Sequence, residues 1–136
     1  MMRQLIILLF LFINSVVFTQ NQFLELTISS ESNKKQLRNF DVLVNCEEGV
    51  DFKLTAKKKK ITFYLSAGLV YKLIITKKGF YQNSYEFDLT DVPEALYQDN
   101  FLSHEVHSAL TPLTATQPTE IYHYYYDARH GKIKVK

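Results

Sequence analysis

The chain has 136 residues and a formal net charge of +2 at pH 7. This length is too short for more than one ordinary domain, and the weak charge argues against nucleic acid as a partner. A hydrophobic content of 46% excludes a disordered tail, while four glycines and three prolines exclude collagen-like or linker-like sequence.

Residues 1–19 are predicted to form a helical secretory signal peptide that is cleaved after Thr19. Arg3 supplies a positive start, nine uninterrupted apolar residues run from Leu5 to Ile13, and a polar run follows Thr19. A membrane-spanning helix needs about 20 apolar residues, so this segment is too short to be one. An uncleaved N-terminal anchor is the competing interpretation. In both cases we expect an exported protein, in the periplasm or at the cell surface.

Residues 23–115 are predicted to form one antiparallel β-sandwich of the immunoglobulin-like kind. Apolar and polar residues alternate in six successive runs, which is the period of half-buried strands. These runs lie at 24–28, 40–45, 52–54, 61–65, 70–76 and 85–89. Turn residues separate most of them, whereas the polar stretch from Ser30 to Asn39 is predicted to be a loop. The pattern indicates an all-β fold.

Cys46 is the one cysteine of the chain, so no disulfide can form within it. In an oxidising compartment such a thiol is buried, paired with another chain, or reactive. We expect burial.

The lysine run from Lys57 to Lys60 is the sharpest charge feature of the sequence. It is predicted to be the solvated tip of a hairpin between strands at Leu54 and Ile61, where lysines discourage edge-to-edge aggregation. The alternative is contact with an anionic surface, such as lipopolysaccharide or lipid head groups. Nucleic acid is not expected, because aromatic residues are not interleaved with these lysines.

The chain after residue 89 is predicted to contain a short helical segment and further strands. The helical segment runs from Pro93 to Gln98, with Asp91 as its N-cap. The apolar residues Leu102, Val106 and Leu110 fit a strand or a helix, and we favour the strand. Residues 116–136 form an aromatic and basic C-terminal segment that could add a strand, with a last run at 132–136 whose edge could pair with another protein.

One stretch of the sequence resembles a known family. Its pattern is Phe63-x-Leu65-x-x-Gly68-x-x-Tyr71-x-Leu73-x-Ile75-x-Lys77-x-Gly79-Phe80. This pattern, within about residues 23–93, resembles the carboxypeptidase-regulatory-like or transthyretin-like β-sandwich domains of exported bacterial proteins. Domains of this type are not catalytic. The resemblance therefore implies a β-sandwich that serves as an accessory or binding module.

No residue pattern of the sequence selects a catalytic or metal site. His104-Glu105-Val106-His107 lacks the spacing that places two histidines on one helical face, and on a strand these two histidines point to opposite faces. No Gly-x-Ser-x-Gly elbow positions a serine nucleophile. We therefore expect no enzymatic activity, no metal and no cofactor.

The strongest functional signal is the tyrosine cluster near the C-terminus. On a strand, Tyr122, Tyr124 and Tyr126 share one face, which could stack on sugar rings, contact a protein, or pack within the sandwich. The leading hypothesis is an exported, non-catalytic interaction module of the bacterial envelope that works through its sheet edges and this face. The alternative is a carbohydrate-binding module using the same three tyrosines. The partner is thus an envelope protein or a surface glycan.

Overall fold

The structure is a computed structural model that describes residues 23–47, 49, 51–97, 102–118 and 121–136. The predicted signal peptide at 1–19 lies outside the described residues. Within those residues, no helix is long and apolar enough to cross a membrane. The strands are β1 (Leu24–Ser32), β2 (Lys35–Leu37), β3 (Phe40–Cys46), β4 (Phe52–Ala56), β5 (Lys60–Leu65), β6 (Val70–Thr76), β7 (Asn83–Asp88), β8 (Leu102–Ala109), β9 (Tyr122–Asp127) and β10 (Lys132–Val135).

The strands form two sheets, and the predicted all-β sandwich is confirmed. The six-stranded sheet has the order β10-β9-β7-β6-β3-β4. In the four-stranded sheet, β1 pairs with β2, β5 and β8. All six predicted runs are strands, and so is the segment carrying Leu102 and Val106.

The hydrophobic core lies between the two sheets, where the alternate side chains of each strand meet. Leu26 and Ile28 of β1 and Phe63 of β5 face inward from the four-stranded sheet, opposite Val42 and Leu73 of the six-stranded sheet. All five are buried. The two-residue period of the sequence is therefore the direct cause of this core, because it places alternate residues of each strand, most of them apolar, on one face.

Two of the pairings are parallel, although the sequence pattern predicted antiparallel neighbours. β8 runs parallel to β1, and β9 runs parallel to β7. Alternation of apolar and polar residues defines which face of a strand is buried but carries no information on the direction of its neighbour. Both parallel pairings follow long connections, which is the condition for parallel neighbours in a sheet.

The predicted loop from Ser30 to Asn39 is wrong. β1 continues to Ser32, and a two-residue turn of Asn33 and Lys34 leads into β2. Both turn residues have positive φ, of 51° and 65°, as the common two-residue hairpin turns require. Apart from the buried Ser30, the residues of this stretch are exposed or half-buried, so the apolar alternation that marks the other strands is missing.

The predicted hairpin around Lys57 to Lys60 is also wrong. β4 lies at the edge of the six-stranded sheet, whereas β5 pairs with β1 in the other sheet. The lysines therefore cross from one sheet to the other, and Lys60 is already the first residue of β5. A charged connection between two strand patterns fits a hairpin and a crossing equally well, so the sequence did not distinguish them.

Gly68 connects β5 to β6 and crosses between the sheets in the opposite direction. Its φ is +86°, and a Cβ atom at this position would lie 2.5 Å from the Tyr97 hydroxyl oxygen. Glycine alone fits such a site without strain. Gly79, with φ of +90°, turns the chain after β6.

The predicted helical segment is shorter than expected. It consists of a single 3₁₀ turn at Glu94–Leu96, and Pro93 rather than Asp91 precedes it as the cap residue. No side chain caps this turn, so the predicted role of Asp91 is wrong. Gln98 lies outside the described residues.

Candidate functional site

The inner face of the six-stranded sheet extends beyond the sheet that covers it. β2 and β5 lie end to end on the same side of β1, since they pair with Ser30–Ser32 and Leu24–Ser29 respectively. The four-stranded sheet is thus three strands wide, with β8 along one side. The wider sheet therefore projects past β8.

Side-chain contacts place β8 above β7. Ser108 of β8 accepts a hydrogen bond of 2.8 Å from the Tyr85 hydroxyl and one of 2.9 Å from the Asn83 amide nitrogen. The His104 ring lies edge-on to the Phe87 ring, with centroids 6.2 Å apart. β9 and β10 follow β7 in the sheet, so much of their inner face lies outside the cover that β8 provides.

The three tyrosines that the sequence singled out share this inner face of β9, but they differ in exposure. Tyr126 is 5% exposed and packs edge-on against Phe23, with centroids 5.6 Å apart. Tyr124 is half-buried and stacks on Phe87 at 4.7 Å. Tyr122 is 42% exposed and stacks on Tyr85 at 5.5 Å. A ligand can therefore reach the rings of Tyr122 and Tyr124, whereas the core encloses the Tyr126 ring.

β10 adds aliphatic side chains to the same surface. Val135 faces Tyr124 across the strand pair and is 55% exposed, while Ile133 faces Tyr126 and is half-buried. We use the name aromatic ledge for Tyr122, Tyr124, Ile133 and Val135. Both strands have an apolar inner face, and among the described residues no strand of the other sheet covers the part of it that carries Tyr122 and Val135. An uncovered apolar surface of this kind is typical of an interaction site.

His104 lies at the boundary between the covered core and the aromatic ledge. Its ring is edge-on to the Tyr124 ring, with centroids 5.2 Å apart. Burial lowers the pKa of His104, and the neighbouring Glu105 offsets part of this effect. At neutral pH the imidazole is therefore uncharged and packs as an aromatic ring beside the ledge.

Within the part of the chain that the structure describes, the outer edge of β8 carries unpaired backbone groups. The Leu102 and Leu110 amides donate to carbonyl oxygens before and at the end of β1, each at 2.7 Å. In a strand, alternate residues direct their backbone groups to opposite sides. Those of Ser103, Glu105 and His107 therefore point away from β1, toward the side on which the ledge projects.

The open edge of β8 ends at Ala109. The Ala109 carbonyl oxygen accepts a hydrogen bond of 2.8 Å from the Asn83 side-chain nitrogen. This side chain satisfies the backbone of β8 at its far end, so the edge available to a partner runs from Ser103 to His107. An exposed row of strand backbone groups is a template for pairing with another chain.

The outer face of the four-stranded sheet contains a serine, a histidine and a glutamate in sequence. Ser29 Oγ lies 2.7 Å from His107 Nδ1, and His107 Nε2 lies 3.6 Å from Glu105 Oε2. Ser29 and His107 are register partners on β1 and β8, so their contact follows directly from strand pairing. The histidine-to-glutamate distance exceeds that of a hydrogen bond. The arrangement is accounted for by cross-strand pairing and indicates no nucleophile.

The histidines and acids of the described residues do not converge on a metal site. His104 points inward and His107 outward from β8, as the sequence predicted. Among the residues that the structure describes, no group of three or more His, Cys, Asp or Glu side chains could hold a metal ion. Cys46 is a free thiol of intermediate exposure, rather than the fully buried residue that was expected.

Sequence reasoning identified the tyrosines but missed His104 and the edge of β8 as parts of the same surface. The signal for His104 was its spacing: it lies two residues from both Leu102 and Val106, and on a strand this places it on their inward face. No sequence signal indicated that β8 would lie at an edge, because the order of strands in a sheet depends on long-range pairing.

No family model matches the chain, and no curated protein matches it. The carboxypeptidase-regulatory-like resemblance therefore stays a prediction. Among solved structures, the chain is similar to a C-terminal fragment of the pilus adhesin SpaC from Lactobacillus rhamnosus GG. The identity is 13% and the TM-score 0.45, over 72% of this chain and 48% of that one. This chain thus spans about half the length of that fragment.

Proposed function

We propose that this protein is an exported, non-catalytic interaction module of the bacterial envelope, and that it binds an extended segment of a partner protein. The segment would add to the four-stranded sheet at the edge of β8 and cover the aromatic ledge. The juxtaposition of the open β8 edge with a partly exposed apolar face, within the part of the chain that the structure describes, is the observation that carries this proposal. Export rests on the predicted signal peptide.

The backbone of β8 provides the first half of the recognition. Ser103, Glu105 and His107 offer amide donors and carbonyl acceptors on the open side, and an extended peptide presents the same groups in return. Such main-chain hydrogen bonds contribute affinity that does not depend on the side chains of the partner segment. The capped carbonyl of Ala109 limits the new pairing to a short segment.

The aromatic ledge provides the second half. A strand added at β8 would lie about 4.8 Å beyond it, at the normal spacing between neighbouring strands. Every second side chain of that strand would then point toward Tyr122, Tyr124 and Val135. The partner segment is therefore expected to carry apolar residues at alternate positions, and burial of these side chains supplies the specificity.

The decisive experiment is a substitution that removes one partner-facing donor and leaves the core intact. The Glu105 amide points away from β1, so Glu105→Pro deletes a hydrogen bond to the partner and none within the sheet. The probe is a synthetic peptide of alternating valine and threonine, titrated against the protein and followed by amide hydrogen exchange. We expect the peptide to slow exchange of the Ser103, Glu105 and His107 amides.

The matched controls for this experiment are Glu105→Gln, which keeps the backbone amide, and a peptide with a central proline. Peptide binding should survive in Glu105→Gln and disappear in Glu105→Pro, with circular dichroism showing the same strand content in both. If the peptide slowed exchange of the Ser103 and His107 amides in Glu105→Pro, no strand would be added at β8. The same conclusion would follow if the peptide with a central proline bound with the same affinity as the original peptide.

Carbohydrate binding is the second candidate function, favoured by the exposure of Tyr122 and by its stacked orientation on Tyr85. An exposed tyrosine ring offers a flat apolar surface to the face of a sugar. The test is a glycan array with the variant Tyr122→Ala/Tyr124→Ala, in which the buried Tyr126 is kept so that the core is preserved. Glycan signals that are lost in this variant and retained in Glu105→Pro would favour carbohydrate over a peptide strand.

A further inference from the structure

The two ends of the sandwich carry opposite charges in their connecting segments. At one end lie residues 33–34, 38–39, 57–59 and 77–82, which contain lysine and arginine and no acid. At the other end lie residues 47, 49, 51, 66–69 and 89–97, whose only charged residues are Glu47, Asp51, Asp91 and Glu94. The turn after β9 adds Arg129 and His130 to this second end, where Asp127 contacts His130. The small net charge of the chain therefore conceals a strong separation of charge.

A shallow groove lies at the basic end. It has a volume of about 570 Å³ and is lined by Gln36, Arg38, Lys58, Lys59 and Lys60. The fold brings these residues together from distant parts of the chain. Leu37 of β2 and Lys60 of β5 pair with consecutive residues of β1, so the exit from β2 meets the lysine crossing.

The backbone beneath this groove is held in place. The Lys77 ammonium donates hydrogen bonds to the carbonyl oxygens of Arg38 and Asn39. Asn39 has a positive φ of 55°, which turns the chain sharply into β3. Lys77 is thus occupied by backbone carbonyls, and the turn that carries Arg38 is fixed next to the lysines.

The cations of the groove have no acidic partners among the residues that the structure describes. Every ion pair in that part of the chain involves other residues, and none includes Arg38, Lys58, Lys59 or Lys60. Like charges held close together repel one another, and a multivalent anion would relieve that repulsion. The groove therefore has the charge and shape of an anion site.

We propose that this groove binds the phosphate groups of an anionic lipid surface. A guanidinium beside several ammonium groups suits phosphate oxygens, because arginine forms paired hydrogen bonds and lysine adds point charges. A lipid surface presents many phosphates side by side, which matches a row of cations on one end of the molecule. The acidic segments at the opposite end then point away from the surface and orient the protein.

This orientation is independent of the peptide site. The aromatic ledge lies on the inner face of β9 and β10, along the side of the sandwich, while the groove lies between β2 and β5 at its end. A protein held by its basic end therefore keeps the edge of β8 accessible. Surface attachment and peptide binding can be removed separately by mutation.

The test is sedimentation of the full chain with phosphatidylcholine vesicles that contain or lack phosphatidylglycerol. The groove variant is Arg38→Gln/Lys58→Gln/Lys59→Gln, and the control variant is Lys72→Gln/Lys132→Gln/Lys136→Gln, which loses the same charge outside the groove. Each basic residue near an anionic surface contributes about fivefold to binding, so the groove variant should bind the anionic vesicles about a hundredfold more weakly. The control variant should bind nearly as well as the native protein.

Three other outcomes would overturn the proposal. If the groove variant and the control variant lost the same amount of affinity for anionic vesicles, the effect would be one of net charge alone. Binding that persists at high salt would exclude an electrostatic surface contact, since screening weakens such contacts. A third arm titrates inorganic pyrophosphate, and binding of pyrophosphate to the groove without binding to anionic vesicles would identify a soluble phosphate ligand in place of a lipid surface.

Discussion

The six-stranded sheet has one apolar inner face but two different environments along it. Over β3, β6 and β7 the opposite sheet encloses Val42, Leu73 and Phe87 completely. Over β9 and β10 the same alternation of residues continues, yet Tyr122 and Val135 are exposed. The difference shows that an apolar strand face becomes buried core or exposed surface according to the number of strands in the opposite sheet. The composition of the strand does not decide it.

This comparison gives a test of which region holds the fold together. The covered region should carry most of the free energy of unfolding, because burial of apolar area is its main source. The ledge should contribute little in the free protein and gain its contribution when a partner covers it. Substitutions along the face are therefore expected to fall into two classes.

The largest effect is expected for Phe87→Ala in the covered region. Phe87 is fully buried and stacks on Tyr124 at 4.7 Å, so its removal leaves a cavity between the sheets. We expect the free energy of unfolding to fall by about 3–5 kcal/mol, measured by urea titration with circular dichroism. A loss below about 1 kcal/mol would mean that β8 does not cover β7 tightly.

A smaller effect is expected at the boundary, where it depends on pH. Burial lowers the pKa of His104 in the folded protein below its ordinary value of 6.5. At pH values well above 6.5 the His104 side chain is uncharged in both the folded and the unfolded protein, so it does not make the free energy of unfolding depend on pH. As the pH falls below 6.5, the unfolded chain takes up a proton before the folded protein does, so the free energy of unfolding decreases until the folded pKa is passed.

The measurement compares the pH dependence of urea unfolding for the native protein and for His104→Gln between neutral and mildly acidic pH. The variant should lose less stability than the native protein over this range. His107→Gln is the matched control, since His107 lies on the exposed face of the same strand. A native pH dependence in His104→Gln would show that His104 is not enclosed at the boundary.

The sequence allowed the strands and their buried faces to be predicted, because both follow from local periodicity. Phe63, Leu65, Tyr71 and Leu73 are buried where their alternation placed them, and Gly68 makes the turn between them. The order and pairing of the strands in the two sheets could not be predicted from the sequence. The crossing at Lys57 to Lys60 and the parallel pairing of β8 with β1 depend on which distant strands meet, and a charge run or an alternating pattern does not encode that choice.

The candidate site divides in the same way. The shared face of Tyr122, Tyr124 and Tyr126 was predictable from their spacing. The difference in exposure among the three tyrosines was not predictable, since it depends on how far the four-stranded sheet extends over β9. The groove that combines Arg38 with Lys58 to Lys60 was hidden for a similar reason, because the sequence separates these residues and the end-to-end placement of β2 and β5 joins them.

The smallest effect is expected at Val135, and the same substitution at Val42 provides the comparison with the covered region. Val42→Thr places a hydroxyl in the enclosed core, where it should lower the free energy of unfolding by about 1–3 kcal/mol. Val135→Thr makes the same chemical change at a position that is 55% exposed, and the expected change is within about 0.5 kcal/mol. If the two variants lost equal stability, Val135 would be covered in solution, and the ledge would already be occupied, either by this chain or by a second copy of it.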